Sequence, residues 1–260
     1  MNDQGWPAML AGLHYIGRTR PWDNWAYSQT YIEEFARKLT SSIDLHTSDR
    51  IADIGCGTGL YAAQIHRQLK PEHPILCIDP SAEMLAEIPL SNGLKPLRAS
   101  AEEIASKEVS LPIAEPLSAI IIKEAIHHVQ HQADTISGLT DLLAPGGRML
   151  IAMLPTRIDY PLFSAALRKF EELQPDPQEI RNHMTTAGLD ARLEPVSFTI
   201  TIDRSRYLKM VRSRYMSLLS CFTDDELSVG VEEIGRKFPQ PVLRFQDSFA
   251  FVIGWKESTR

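Results

Sequence analysis

The stretch from Arg50 to Gly59, R-I-A-D-I-G-C-G-T-G, constrains this chain more than any other. Ile51, Ala52 and Ile54 form a short apolar run of the kind that makes a parallel strand buried on both faces. Gly55, Gly57 and Gly59 then recur at every second position and supply the left-handed, side-chain-free sites of a tight strand-to-helix turn. Leu60 to Leu69 is rich in helix formers, so the turn opens a helix whose N-terminal N–H groups can hold an anionic group.

Dinucleotide-binding folds place G-x-G-x-x-G at the same point. Here the third glycine comes one residue early, and Leu60 stands where that pattern requires Gly or Ala. Asp53 ends the strand where dinucleotide binders carry an apolar residue, and an acid there can face a cationic ligand. Pro74 to Pro80, P-I-L-C-I-D-P, reads as a second strand ending in Asp79. That carboxylate follows the glycines by about 20 residues, the spacing at which it can accept both hydroxyls of a ribose. The ligand implied carries a ribose and a positively charged amino-acid end, which leaves a dinucleotide oxidoreductase as the disfavoured alternative.

D-I-G-C-G-T-G followed by C-I-D-P-S resembles the S-adenosylmethionine site of the class I (Rossmann-like) methyltransferases. Arg98 to Ile104, Ala119 to Val129 and Leu143 to Ile151 resemble the third, fourth and fifth strand motifs of that family, in the same order, so the resemblance covers roughly Asp49 to Pro155. It implies an α/β, doubly wound Rossmann-like fold with a seven-stranded sheet of order 3-2-1-4-5-7-6, an antiparallel last hairpin and helical cap insertions. It also implies S-adenosyl-L-methionine as cofactor, with contacts from Asp53, Gly55, Cys56, Gly57, Gly59, Asp79, Pro80, Met84, Ala101, Glu102 and Lys123. Where the family often has Asp followed by Ala after the third strand, this chain has Ser100-Ala101, which moves the adenine contact to Ala101 and Glu102. Tyr15 to Pro21 resembles the N-terminal segment of many small-molecule methyltransferases, which implies that Tyr15 and Arg20 cover the cofactor's carboxylate.

At 260 residues and 43% hydrophobic content, the chain suits a single domain over 1–260, with an N-terminal helical lid over 1–48. A net charge of −6 argues against nucleic acid as a partner and leaves a small-molecule acceptor. Cys56, Cys77 and Cys221 are odd in number and lack C-x-x-C spacing, as expected of reduced thiols in a cytoplasmic protein. The start, M-N-D-Q-G-W-P, lacks the features of a signal peptide, and no apolar run approaches the roughly 18 residues of a membrane span. A monomer or homodimer without membrane association is the expectation.

The aromatics Trp6, Tyr15, Trp22, Trp25, Tyr27 and Tyr31 precede the first core strand and suit either a pocket wall or plain packing. Thr30 to Glu33 has the form of a capping box, and Ile32, Phe35, Leu39 and Ile43 then recur at helical spacing. A third strand is expected near Leu97. Leu117 to Ile122 is the apolar fourth strand, and its carboxyl end delivers Lys123-Glu124-Ala125-Ile126-His127-His128 to the crevice where ligands bind in open parallel sheets. His127 and His128 are the candidate general bases; because adjacent residues diverge on a helix, one of them at most is expected to face the acceptor. Glu124 is the third catalytic candidate, with a hydrogen-bonding role as its alternative. The histidines at 127, 128 and 131 lack a carboxylate at ligand spacing, so no metal is expected.

Leu143 to Arg148 reads as a helix-ending turn and Met149 to Leu154 as the fifth strand. Insertions follow over about 156–177 and 204–238, the second with a capping box at Thr223 to Glu226 and with Arg204, Arg206, Lys209, Arg212 and Arg214 as a solvated face or a carboxylate site. Between them come a helix over Gln178 to Ala187 and an alternating strand over Arg192 to Asp203, and Phe245 to Trp255 is the last strand. The function implied is methyl transfer to an oxygen, nitrogen or carbon of a small acceptor. The alternative is a cofactor-binding protein or a non-methylating catalyst on the same fold.

Overall fold

The structure, a computed structural model, describes residues 28–88 and 93–258. Tyr15 and Arg20, with the other aromatics before Ser28, lie outside the described residues.

Seven strands form one sheet in the order β3-β2-β1-β4-β5-β7-β6. β1 (Ile51–Ile54) and β2 (Ile75–Asp79) are buried at every residue, as apolar runs flanked by helices must be. β1 pairs in parallel with β2 and β4 (Leu117–Lys123), β2 with β3 (Leu94–Arg98), and β4 with β5 (Leu143–Met153). β7 (Val242–Lys256) is antiparallel both to β5 and to β6 (Leu189–Asp203). Order and directions are those the family resemblance implies.

Alternate residues of each central strand feed opposite cores. Ile51, Cys77, Ile121, Leu150 and Phe251 face one side, under α1 (Gln29–Ser42) and α2 (Leu60–Leu69). Ile54, Ile78, Ile122, Ile151 and Val252 face the other, under α4 (Ala101–Ala105), α5 (Gln132–Asp141) and α7 (Pro177–Thr186), while α3 (Ala82–Ala86) follows β2. The period of two is therefore hydrophobic in both phases, which fixes strand register on both faces. The first insertion supplies α6 (Ser164–Leu173); the second supplies α8 (Arg204–Arg212), a 3₁₀ turn at Ser217–Cys221 and α9 (Asp224–Lys237), all packed on the α1 side.

Three local expectations are corrected. The N-cap of α1 is Ser28, whose hydroxyl accepts from Tyr31 N–H at 3.0 Å, and Glu33 instead receives the Gln29 amide at 3.0 Å. Ala144-Pro145-Gly146-Gly147 does not end a helix but lies inside β5, where pairing jumps from Leu117↔Leu143 to Ala119↔Arg148. Gly146, at φ +76°, absorbs that bulge. β6 starts directly after Gly188, three residues before the alternating pattern suggested.

Candidate active site

A cleft of ≈ 720 Å³ opens at the carboxyl ends of β1, β2 and β4, where ligands bind in doubly wound sheets. Its first half is built by the glycine turn. The N–H groups of Gly55 and Cys56 donate to Ile78 O at 2.7 and 3.1 Å, which fastens the turn to the end of β2. Gly55 has φ +73°, and a Cβ there would come 2.3 Å from Ala125 Cβ, so no other residue fits beside the β4 loop. Gly57 has φ +56° and faces open space, with nothing within 4 Å of where its Cβ would stand.

Asp79 is held from two sides. Its Oδ2 accepts from Gly57 N–H and its Oδ1 from Ser81 N–H, both at 2.9 Å. Burial pushes its pKa up while those two backbone donors oppose the rise. Each carboxylate oxygen still has a lone pair for a ligand hydroxyl. Asp53, 4% exposed, is pushed up to about 7 by burial, against the pull of Lys123 and with a smaller push from Asp79. The Cys56 thiol is raised by its hydrogen bond to Cys77 and by burial, so it stays neutral and serves as a small residue of the turn. Gly59 is the N-cap of α2 and does not itself line the cleft, although Thr58 and Leu60 on either side of it do.

Pro80, Met84, Ala101 and Glu102 line the same half. Ser100 is the N-cap of α4: its hydroxyl accepts from Glu103 N–H at 3.1 Å, and the Glu103 carboxylate accepts from Ser100 N–H at 2.6 Å. The departure from the family's Asp is therefore a capping box that leaves Ala101 and Glu102 facing the cleft. The Glu102 carboxylate also accepts from Gln130 N–H at 3.1 Å.

The second half is made of side chains. Lys123 is ion-paired with its neighbour Glu124, and its ammonium lies 4.4 Å from the Tyr61 ring centroid and 4.9 Å from that of Phe35. Burial opposes the Lys123 charge, but Glu124 and the surrounding oxygens outweigh it and hold the pKa above the usual lysine range. Glu124 itself sits at φ +49°, a left-handed conformation that costs a non-glycine residue about 1 kcal/mol and that clusters at functional sites. Its N–H donates to Ala152 O at 2.8 Å, which keeps the turn in place.

His127 and His128 both line the cleft. They lie on a three-residue 3₁₀ turn, Ile126–His128, and their ring centroids are 4.1 Å apart with the planes tilted by 51°. The expectation that the two imidazoles diverge assumed an α-helix and is not met.

Both insertions reach the cleft, through Tyr160, Phe170 and Gln174 from the first and Tyr215, Met216 and Ser217 from the second, and Leu154 lines it just after β5. The cations of the second insertion do not line it: Arg204 donates to Gly235 O and Phe238 O, and Arg214 to Phe222 O and Asp224. A residue that sequence reasoning passed over completes this half. Asp247, 2% exposed, receives Tyr31 Oη–H at 2.5 Å on Oδ2 and Tyr160 Oη–H on Oδ1. Burial pushes its pKa up to about 6, against the two phenol donors. The signal for it was available, since Phe245, Asp247, Phe249 and Phe251 share one phase of β7 and an acid in the buried phase of a strand marks a site.

A model of the methyltransferase domain matches residues 52–149. A trans-aconitate 2-methyltransferase of Pseudomonas paraeruginosa is 31% identical over 146 residues, 54% of this chain and 48% of that protein, so the chain matches about half the length of this relative. Among solved structures, the [4+2]-cyclase SpnF has a TM-score of 0.59 at 16% identity, covering 89% of this chain and 83% of that one. Phosphoethanolamine N-methyltransferase 2 of Haemonchus contortus, in complex with S-adenosyl-L-methionine, has a TM-score of 0.53 at 18% identity, covering 92% of this chain and 60% of that one. These two likenesses concern the fold alone. With the sheet order 3-2-1-4-5-7-6 and the glycine turn, the match gives this chain a methyltransferase domain over residues 52–149, on the fold of the class I (Rossmann-like) methyltransferases.

Proposed function

We propose that the protein transfers the methyl group of S-adenosylmethionine to a small-molecule acceptor. The observation that carries this reading is the Asp79 carboxylate at the end of β2, tied at 2.9 Å to Gly57 N–H beside open cleft space. The residues present suit the cofactor. Asp79 accepts the ribose hydroxyls, Asp53 faces the ammonium of the amino-acid end, and the Gly57 backbone approaches the ligand where a side chain would block it. Met84 and Ala101 wall the adenine, with Glu102 at its edge. When bound, S-adenosylmethionine supplies an activated methyl group on a sulfonium.

What remains for the chain is to align a nucleophile and to exclude water. The two insertions close the cleft from above for the second task. His127 and His128 stand past the end of β4, where a neutral imidazole takes a proton from an acceptor hydroxyl or amine. Glu124, pinned by Lys123, orients this loop rather than acting as the base. Incubation with methyl-labelled S-adenosylmethionine and a metabolite extract tests the reading. Label in a small-molecule product is expected; cofactor that binds but is not consumed would instead support a non-methylating catalyst on this fold.

A further inference from the structure

The acceptor half of the cleft contains a charged cluster whose composition bears on what can bind there. Asp247 lies on β7 beyond Ala250, the point where β7 ceases to pair with β5, so its carboxylate stands past the end of the parallel sheet. Tyr31 reaches it from α1, 216 residues away in the chain, and Tyr160 from the first insertion, 87 residues away. Lys123 and Glu124 stand nearby and pair with each other, so the Lys123 charge is already matched. Ionised Asp247 therefore leaves the cluster with one excess negative charge, stabilised by phenol O–H groups. The surrounding cleft wall is apolar and aromatic, with Leu154, Phe170, Met216 and Phe249. Of the two cations that line the cleft among the described residues, the second, Arg98, donates to Pro80 O in the cofactor half.

A buried carboxylate with two donors still has acceptor sites, and in an apolar wall it favours a further donor or a cation and disfavours a second anion. We infer that Asp247, held by Tyr31 and Tyr160, is the recognition group for the acceptor, receiving an N–H or O–H donor of a largely apolar amine or alcohol and turning carboxylates away. The inference rests on the proposed methyl transfer only in calling that ligand the acceptor. It sets this cleft apart from one made for trans-aconitate, a tricarboxylate, whose added charges would stand beside Glu124 and Asp247.

The test uses the whole chain saturated with S-adenosylhomocysteine and three probes of one shape: phenethylamine, 2-phenylethanol and phenylacetate. In calorimetric titrations the amine, the alcohol or both are expected to bind about tenfold or more tighter than phenylacetate. The amine ahead of the alcohol marks charge pairing, and the alcohol ahead marks a neutral donor; either supports the assignment. Asp247→Asn is expected to reduce the preference over phenylacetate by about tenfold, since it removes the charge and keeps the shape. Phenylacetate binding as tightly as both donors, no binding by any probe, or an unchanged preference in a folded Asp247→Asn variant would overturn it. The wild-type comparison stands even if that variant fails to fold. Should S-adenosylhomocysteine itself not bind, the cofactor assignment fails separately, and the same probes titrated without it still decide the role of Asp247.

Discussion

The two halves of the cleft are built in different ways. The cofactor half comes from three short, contiguous segments, Asp53 to Thr58, Asp79 to Met84 and Ser100 to Glu102, each at the end of a strand. Its polar groups are backbone N–H donors and strand-end carboxylates, so its shape is set by the path of the main chain. The acceptor half comes from side chains on α1, the β4 loop, both insertions and β7, and its central hydrogen bonds join residues 216 and 87 positions apart. Chemistry carried by the backbone is tied to the fold, whereas chemistry carried by distant side chains on insertions can change without disturbing the sheet. One fold can thus keep its cofactor and exchange its acceptor.

The sharpest way to break this contrast is at Gly57. Gly57→Val places a β-branched side chain at φ +56° and fills the space next to the turn, so S-adenosylhomocysteine binding should fall below detection while helix content by circular dichroism persists. Normal binding would mean that the main-chain path does not define this half. A smaller loss is expected on the acceptor side. His127→Asn or His128→Asn, whichever removes the base, should lower turnover by roughly 10²-fold with little change in cofactor affinity. Near-normal turnover in both variants would leave positioning alone to carry the reaction.

Asp79→Ala tests the same boundary from the cofactor side, with an expected loss of about 1.5 to 3 kcal/mol in S-adenosylhomocysteine affinity from the missing charge-assisted hydrogen bonds. Unchanged affinity in a folded variant would take Asp79 out of the site. The smallest effect concerns Asp53, whose folded-state pKa is raised from 3.8 to about 7 chiefly by burial. A raised carboxyl pKa means that its stabilising contribution to the free protein is complete below pH 3.8 and is lost as pH rises through about 7. A bound ammonium opposes that shift, so binding near pH 6 should release a proton and affinity should climb with pH, by up to about tenfold per unit, until it levels off above 7. Asp53→Asn should flatten the profile, and a flat wild-type profile would show that no cation meets this carboxylate.

The same division explains what the sequence revealed. That Gly55, Gly57, Asp53 and Asp79 come together at one cleft was legible because strand, turn and acid follow one another within a few residues. The sheet order was legible through the family motifs that share that locality. Tyr160 carried no signal, since nothing near it in the chain indicates a partner on β7. The signal for Asp247 lies in its phase, shared with Phe245, Phe249 and Phe251, and emerges only when the last strand is read phase by phase rather than as a simple alternation. The bulge in β5 was missed because Ala144-Pro145-Gly146-Gly147 has the composition of a turn, and only pairing with β4 keeps it extended. The divergence of His127 and His128 was assumed from α-helical geometry, which three residues of 3₁₀ turn do not provide.

The claim on which the rest depends is that the glycine turn and the two strand-end carboxylates bind S-adenosylmethionine rather than a dinucleotide. Calorimetric titration of the wild-type protein with S-adenosylhomocysteine, in parallel with NADH, measures this directly. The expected result is a saturable one-to-one isotherm with S-adenosylhomocysteine and no heat of binding with NADH. Saturable binding of NADH, with none of S-adenosylhomocysteine, would contradict it.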